Sequence, residues 1–377
     1  MALFILICRV YFKNAGKDDL AAFINENDLD WKLVYKLIRA HQLRPFMYKI
    51  VSANSELFEP AFTQRLQNST WKISIENLDR VKELISLTKD LEYVGITAIP
   101  YKGVMLSKRF YNDFITRETC DIDFLIKRED FNRVRAFFID RGYQSDYYYN
   151  PDYEDVLLDT SVEYVFYKTV GQILIKVELH WDVIHKMQDV RFNSRELFIA
   201  TERHTILKNN LQVLNLSNEL LVLLIHHGVN DIWRSLRHVV DLAMFVEIYE
   251  HDINWAGLMQ KMNSSKIEKA SLIGFSISNK IFGVDIPKGI GQVEDVVVDK
   301  VLGNLLTFPM ITRQKLDWAN FKQQLQLRDS LNDKLVLMNK YMANAIHPNI
   351  RDVASRPLPR RLYFLYYLLK PFRMLSR

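Results

Sequence analysis

The run Cys120-Asp121-Ile122-Asp123-Phe124-Leu125-Ile126 restricts the possible folds of this chain more than any other stretch. Successive side chains of a strand point to opposite faces, so Asp121 and Asp123 fall on one face and Ile122 and Phe124 on the other. The apolar residues Ile122, Phe124, Leu125 and Ile126 place such a strand inside a sheet, where solvating two acids is hard. Two carboxylates that close repel unless a cation sits between them. Magnesium favours carboxylate oxygens together with substrate phosphates, which makes it the expected ion. An Asp-x-Asp alone is a weak signal, because the same pattern occurs on half-exposed strands whose acids are simply solvated.

The flanking sequence is written in a different period. From Asp18 to about Val51 apolar residues recur at helical spacing, among them Trp31, Leu33, Val34, Leu37 and Ile38, with Asn27-Asp28 as a helix start. A second helical pattern, Ile73 to Tyr93, meets Gly95 where a helix would end. The texture then changes: Ile96 to Tyr101 is β-prone, Lys102-Gly103 breaks it, and Val104 to Tyr111 supplies a helical turn or two. Glu129 to Arg141 is helical up to Gly142, and two β-rich runs follow, Thr160 to Thr169 and Gln172 to Trp181, joined at Val170-Gly171. The second run carries Lys176, Glu178 and His180 on one face, so Glu178 has the parity to supply a third carboxylate beside the aspartates. Beyond Leu216 helices return, with Ser217 as a cap, the apolar run Leu220 to Val229, the segment Ser235 to Tyr249, and further helical patterns to about Ala345. The expectation is an α+β protein: a small mixed sheet with flanking helices in residues 95–216, a helical N-terminal segment in 1–94 and a helical C-terminal domain in 217–377.

Composition narrows the function class. Only 12 glycines and 10 prolines stand against 12% aromatic residues, so the chain reads as densely packed. Cys8 and Cys120 lie far apart with no ligand spacing around them, which argues against a disulfide framework or cysteine-bound zinc and for a reducing, cytoplasmic setting. The apolar opening Ala2 to Cys8 stops at Arg9, too short for a bilayer and without a cleavage site, and is expected to be a buried element. A formal charge of +5 falls short of the basic balance of a nucleic-acid-binding domain, so nucleic acid is not expected as a partner.

Several motifs follow one another in order: Tyr101-Lys102-Gly103-Val104-Met105-Leu106, Phe110-Tyr111, then Arg117-Glu118-Thr119-Cys120-Asp121-Ile122-Asp123-Phe124-Leu125-Ile126. Further on come Gly142-Tyr143, Val177-Glu178-Leu179-His180-Trp181, and His226-His227-Gly228 with Trp233, Leu236 and Asp241. From about Asp30 onward this series resembles the uncharacterised bacterial nucleotidyltransferase family of the DNA polymerase β-like superfamily. The resemblance implies transfer of a nucleoside monophosphate from a nucleoside triphosphate such as ATP to an acceptor hydroxyl. It further implies that Gly103 opens the turn meeting the triphosphate, with Lys102 beside it, that Asp121 and Asp123 hold Mg2+, and that Glu178 is the third acid, a general base or second-metal ligand. The superfamily usually has Gly-Ser or Gly-Gly at the turn and a shorter spacer to the first aspartate, whereas this chain has Gly103-Val104. Triphosphate binding would then rest on backbone N–H groups and on Lys102, Arg109 or Arg117, the last of which could instead neutralise the acidic face. His180 shares a strand face with Glu178, but a histidine followed by tryptophan is as readily a packed structural pair, so at most it supports the acids from behind.

Other readings share parts of this pattern. A degenerate member that binds a nucleotide or a partner without catalysis is favoured by the missing serine or glycine at Val104, and a metal-dependent glycosyltransferase could use the same aspartates. His226, His227, Asp231, His238 and Asp241 suggest the metal cluster of a helical phosphohydrolase, but His227 and Asp231 sit on one helical face while His238 and Asp241 belong to the next segment, so they read as satisfied core or cleft residues. The acceptor classes considered are a small molecule, a peptide and a protein. In the tail Arg356 to Arg377, apolar residues such as Leu362, Phe364, Tyr366 and Leu369 interleave with Arg360, Arg361, Lys370, Arg373 and Arg377. That pattern suits docking on the protein's own body or contact with an anionic membrane surface; apolar residues all round the helix favour docking.

Overall fold

The computed structural model describes residues 1–307 and 321–375. Its centre is a four-stranded mixed sheet made of β1 (Ala98–Tyr101), β2 (Ile122–Ile126), β3 (Glu163–Val170) and β4 (Ile173–His180), in the order β1-β2-β4-β3. β1 runs antiparallel to β2, β2 parallel to β4, and β3 antiparallel to β4. All five residues of β2 are buried, as expected of a strand with neighbours on both edges. One face of the sheet presents Ile122, Phe124, Val177 and Leu179 to a core with Phe131, Val134 and Phe138 of the helix Phe131–Asp140 and Leu84 and Leu91 of a long helix, Pro60–Tyr93. On the other face Leu125 joins a larger cluster built mainly from the N-terminal and C-terminal helices.

The helical flanks are longer and more divided than periodicity suggested. The stretch from Asp18 to Val51 holds three helices, Lys17–Glu26, Trp31–Ala40 and Arg44–Ala53, and the middle one is capped by Asp30, whose side chain accepts from the Leu33 amide, instead of starting at Asn27-Asp28. The helix read from Ile73 begins at Pro60, where proline's fixed φ suits the first turn, and stops before Gly95, whose φ of 69° takes the chain out of helical geometry. The opening apolar run is indeed a packed helix, Ala2–Tyr11. Asn215, not Ser217, caps the helix Leu216–Leu224. An antiparallel hairpin, β5 (Thr201–Ile206) and β6 (Asn209–Leu214), had no clear sequence signal: its turn residues Leu207 and Lys208 adopt positive φ without the usual glycine or asparagine.

Beyond β6 the described residues are helical, and among them no helix is long and apolar enough to cross a membrane. In the tail, Tyr366 is 1% exposed, and its hydroxyl accepts from the Leu358 amide and donates to the Arg356 carbonyl. Phe364 and Leu368 remain exposed on the other side, and Arg377 lies outside the described residues.

Candidate active site

The site is assembled where β1 gives way to the helix Gly103–Tyr111. Lys102 (φ 52°) and Gly103 (φ 39°) both lie at positive φ, and the chain turns directly into the helix. A Cβ on Gly103 would stand 3.0 Å from the Asp121 carbonyl oxygen and 3.2 Å from Asp123 Oδ2, so glycine is required by space as well as by φ. The turn is therefore pressed against the two aspartates. The first-turn amides of a helix have no partners within it, and here that turn, with Gly103, Val104 and Met105 all buried, packs against the acids.

Strand pairing sets the acids. Asp123 is in register with Tyr101 on β1 and with Glu178 on β4, so the Asp123 and Glu178 side chains leave adjacent strands side by side. His180 Nε2 lies 3.2 Å from Asp123 Oδ1 and 3.2 Å from Glu178 Oε2, and its Nδ1 lies 3.6 Å from Glu163. Lys102 Nζ is 4.0 Å from Asp123, while Lys176 pairs with Glu178 and lies 3.9 Å from Asp121. Asp121 falls one residue ahead of the strand that was expected to begin at Cys120, and it joins the group through Lys176. His180 and Trp181 are not packed on each other. Trp181 stacks edge-on to Phe131 and donates to the carbonyls of Leu158 and Ser161, while His180 turns to the acids, as alternation along a strand requires.

Burial and the neighbouring Asp121 charge push the Asp123 carboxyl up to about 6, against the pull of His180 and Lys102. Burial also opposes ionisation of Glu178, but the hydrogen bond and charge of His180 together with Lys176 hold it well below the usual carboxylate range. His180 is raised, since its bonds to Asp123 and Glu178 outweigh burial and the repulsion of Lys102. Burial is the larger cause of the Asp123 shift and the Asp121 charge the second, and a hard divalent cation bound by oxygen ligands would relieve that repulsion. Asp123 and Glu178 offer carboxylate oxygens and His180 a ring nitrogen within 4.8 Å of one another, a group that could hold such an ion.

Arg117 is held elsewhere than on the acids. Its Nε and Nη2 contact Asp241 Oδ1 and Oδ2 at 2.9 and 3.0 Å, and Nη1 donates to the Gly103 carbonyl at 3.2 Å. The Asp241 side chain is fully buried and also accepts from the Tyr111 hydroxyl at 2.7 Å. With its fork filled by protein acceptors, Arg117 fastens the Gly103 turn to the helix Leu236–Tyr249. Arg109 is likewise engaged, by the Leu214 carbonyl, Glu202 and Glu219. Of the three basic side chains considered for phosphate, Lys102 stands beside the acids. Asn77, in the long helix, donates to the carbonyls of Phe114 and Arg117 and so holds the loop that delivers Arg117 and Asp121; its one signal in the sequence is a polar residue within an apolar stripe. His226, His227, Asp231 and His238, expected to fall apart into two segments, converge instead.

A family model described as an uncharacterised nucleotidyltransferase matches residues 27–283, a span that takes in the Gly103 turn, β2, β4 and the histidine segment. No match was found among curated proteins or solved structures. The matched span is more than half of the chain and holds every element of the site, and on that basis the chain belongs to the uncharacterised nucleotidyltransferase family.

Proposed function

We propose that this protein moves a nucleoside monophosphate from a nucleoside triphosphate, ATP among the candidates, to an acceptor hydroxyl, using Asp121, Asp123 and Glu178 to hold Mg2+. The observation carrying this reading is the register of Asp123 with Glu178, two acids sharing one histidine nitrogen against the Gly103 turn. Lys102 and the first-turn amides of the helix Gly103–Tyr111 would receive the phosphates, and Arg117 would keep that turn in place through Asp241. Magnesium, when bound, neutralises charge developing on the departing pyrophosphate and makes the acceptor hydroxyl more acidic. Glu178, kept ionised by His180 and Lys176, suits holding a cation better than carrying a proton, because a general base works best with a pKa near the operating pH. Residues 95–216 would carry this chemistry, with the helical segments 1–94 and 217–377 shaping access.

A cleft of about 1620 Å³ is lined by Glu163, Trp181, Asp182, His185, Tyr147 and Arg351 among others, and Asp121, Asp123 and Glu178 are not part of its wall. Glu163, on its wall, is the residue 3.6 Å from His180, so the cleft is the proposed route for the acceptor. Its mixture of charges and aromatic rings suits a polar small molecule, a peptide or a protein segment.

A non-catalytic, nucleotide-binding role is the second reading, supported by Val104: its side chain is 2% exposed and apolar, so the turn has no hydroxyl for phosphate. Incubating the protein with each triphosphate, Mg2+ and candidate acceptors, while following pyrophosphate release and adduct mass, separates the two. Transfer that disappears in Asp123→Asn and Glu178→Gln supports catalysis. Nucleotide binding without pyrophosphate release from any acceptor supports the second reading.

A further inference from the structure

The four residues His226, His227, Asp231 and His238 have no part in the proposed transfer, yet they surround one oxygen. His226 Nδ1 is 2.9 Å from Asp231 Oδ2, His227 Nδ1 is 3.8 Å from the same oxygen, and the two Nδ1 atoms are 3.4 Å apart. A tetrahedral ion with bonds of about 2.1 Å to nitrogen and oxygen separates its ligands by about 3.4 Å. The three measured sides scatter about that value, so an ion just outside their plane would reach all three atoms at ordinary bond lengths. We infer that His226, His227 and Asp231 form a second metal site, for a zinc-class transition ion, separate from the carboxylate site.

Local backbone produces this arrangement. Neighbouring residues on an α-helix point in different directions, but Ile225–Asn230 is a π-helical turn, a wider coil found mostly at functional sites. It lets two consecutive histidines aim the same ring nitrogen at one point. After Asp231 the chain leaves the helix through Ile232 and Trp233, both at positive φ. Trp233 is locked by its Nε1 bond to the Ala270 carbonyl and by Gly274, where any Cβ would lie 2.1 Å from the indole.

Protonation is arranged for ligation as well. Asp241 is kept ionised by its two-point pairing with Arg117 and can only accept, so the proton of a neutral His227 belongs on Nε2, 3.2 Å from Asp241 Oδ2. That leaves the Nδ1 lone pair facing His226 and Asp231. A carboxylate behind a ligating histidine is the usual outer support of such sites. His238 lies beside the group without joining it: it is 6% exposed, its ring stacks on that of His227 at 4.3 Å between centroids, and its Nε2 approaches Asp231 Oδ2 to 3.5 Å. The side chains of His226 and Asp231 are 31% and 34% exposed, which gives an ion a way in. Two imidazoles and one carboxylate suit zinc-class ions, whereas the set around Asp123 is richer in carboxylate, with Glu178 beside it and one histidine.

Metal uptake tests this without reference to activity. The full chain is stripped with a chelator, then titrated with Zn2+ against a chromophoric competitor and with Co2+ while recording visible absorption. One tight equivalent is expected, with the intense visible bands of tetrahedral cobalt. It should persist in Asp123→Asn and Glu178→Gln and weaken at least tenfold in Asp231→Asn and in His226→Ala, the latter chosen because its half-exposed ring is the least needed for folding. Absence of any zinc uptake in the wild type would overturn the site. So would an equivalent that survives both His226→Ala and Asp231→Asn but is lost in Glu178→Gln, since the ion would then belong to Asp123, Glu178 and His180.

Discussion

Replacing Asp241 by asparagine removes the charge that balances Arg117 inside the protein. The guanidinium is buried, and two of its contacts, at 2.9 and 3.0 Å, go to the Asp241 oxygens. Breaking such a pair from one side leaves a buried charge uncompensated, at a cost of about 3 to 5 kcal/mol. For a chain of this size roughly 2 °C of melting temperature follows each kcal/mol, so a fall of about 6 to 10 °C is expected. Removing both charges in Arg117→Met/Asp241→Asn should cost less than the sum of the single changes, with a coupling on the order of 2 kcal/mol. Because Arg117 also donates to the Gly103 carbonyl, Arg117→Met should weaken triphosphate binding even where the fold survives. Thermal unfolding and nucleotide titration of the three variants measure these quantities. A single-mutant loss under about 1 kcal/mol, or full additivity in the double, would refute the claim that the pair fastens the turn.

Gly103→Ala should raise the nucleotide dissociation constant tenfold or more and also lower the melting temperature, because the new Cβ meets the Asp121 carbonyl and the Asp123 carboxylate at a positive φ; isothermal titration beside a melting curve checks it. The folded-state pKa of Asp123 is about 6, above its unfolded value, so the folded protein holds that proton more tightly. The Asp123 contribution to stability is thus greatest at low pH and is lost as pH rises through about 6. Mg2+ must displace the same proton, so its affinity should climb over that interval and level off above it, with proton uptake by buffer detectable calorimetrically below it. Tyr366→Ala should destabilise the protein by about 3 to 5 kcal/mol, as for other large buried aromatics. If the tail docks on the body, deleting Arg356 to Arg377 should destabilise the chain without revealing or abolishing any binding to anionic vesicles; salt-sensitive co-sedimentation that the deletion abolishes would place the tail on a membrane instead.

Sequence alone was enough for features whose cause is local. Alternation in Ile122-Asp123-Phe124-Leu125-Ile126 marked a buried strand because side chains at every second position share a face. Gly95 and Gly142 ended helices because both hold positive φ, which glycine adopts without steric cost. Lys102-Gly103 marked a break between strand and helix for the same reason, and the resemblance supplied the order of motifs around it.

Tertiary structure decided what depends on distant partners. The parallel pairing of β2 with β4 puts Asp123 beside Glu178, and no local pattern encodes which residue of one strand faces which residue of another. Asp241 meets Arg117 across 124 residues, so an arginine read from sequence as either a phosphate contact or a neutraliser of the acidic face pairs with a buried acid on another helix. His180, readable in sequence either as a neighbour of Glu178 or as half of a packed pair, bridges two acids once the sheet is formed. The π-turn at Ile225–Asn230 gathered histidines that α-helical spacing keeps apart. In each case the residue type was visible in the sequence. Its role was set by the charge or space that packing placed next to it, and such interactions fall off within a few ångströms and do not follow chain separation.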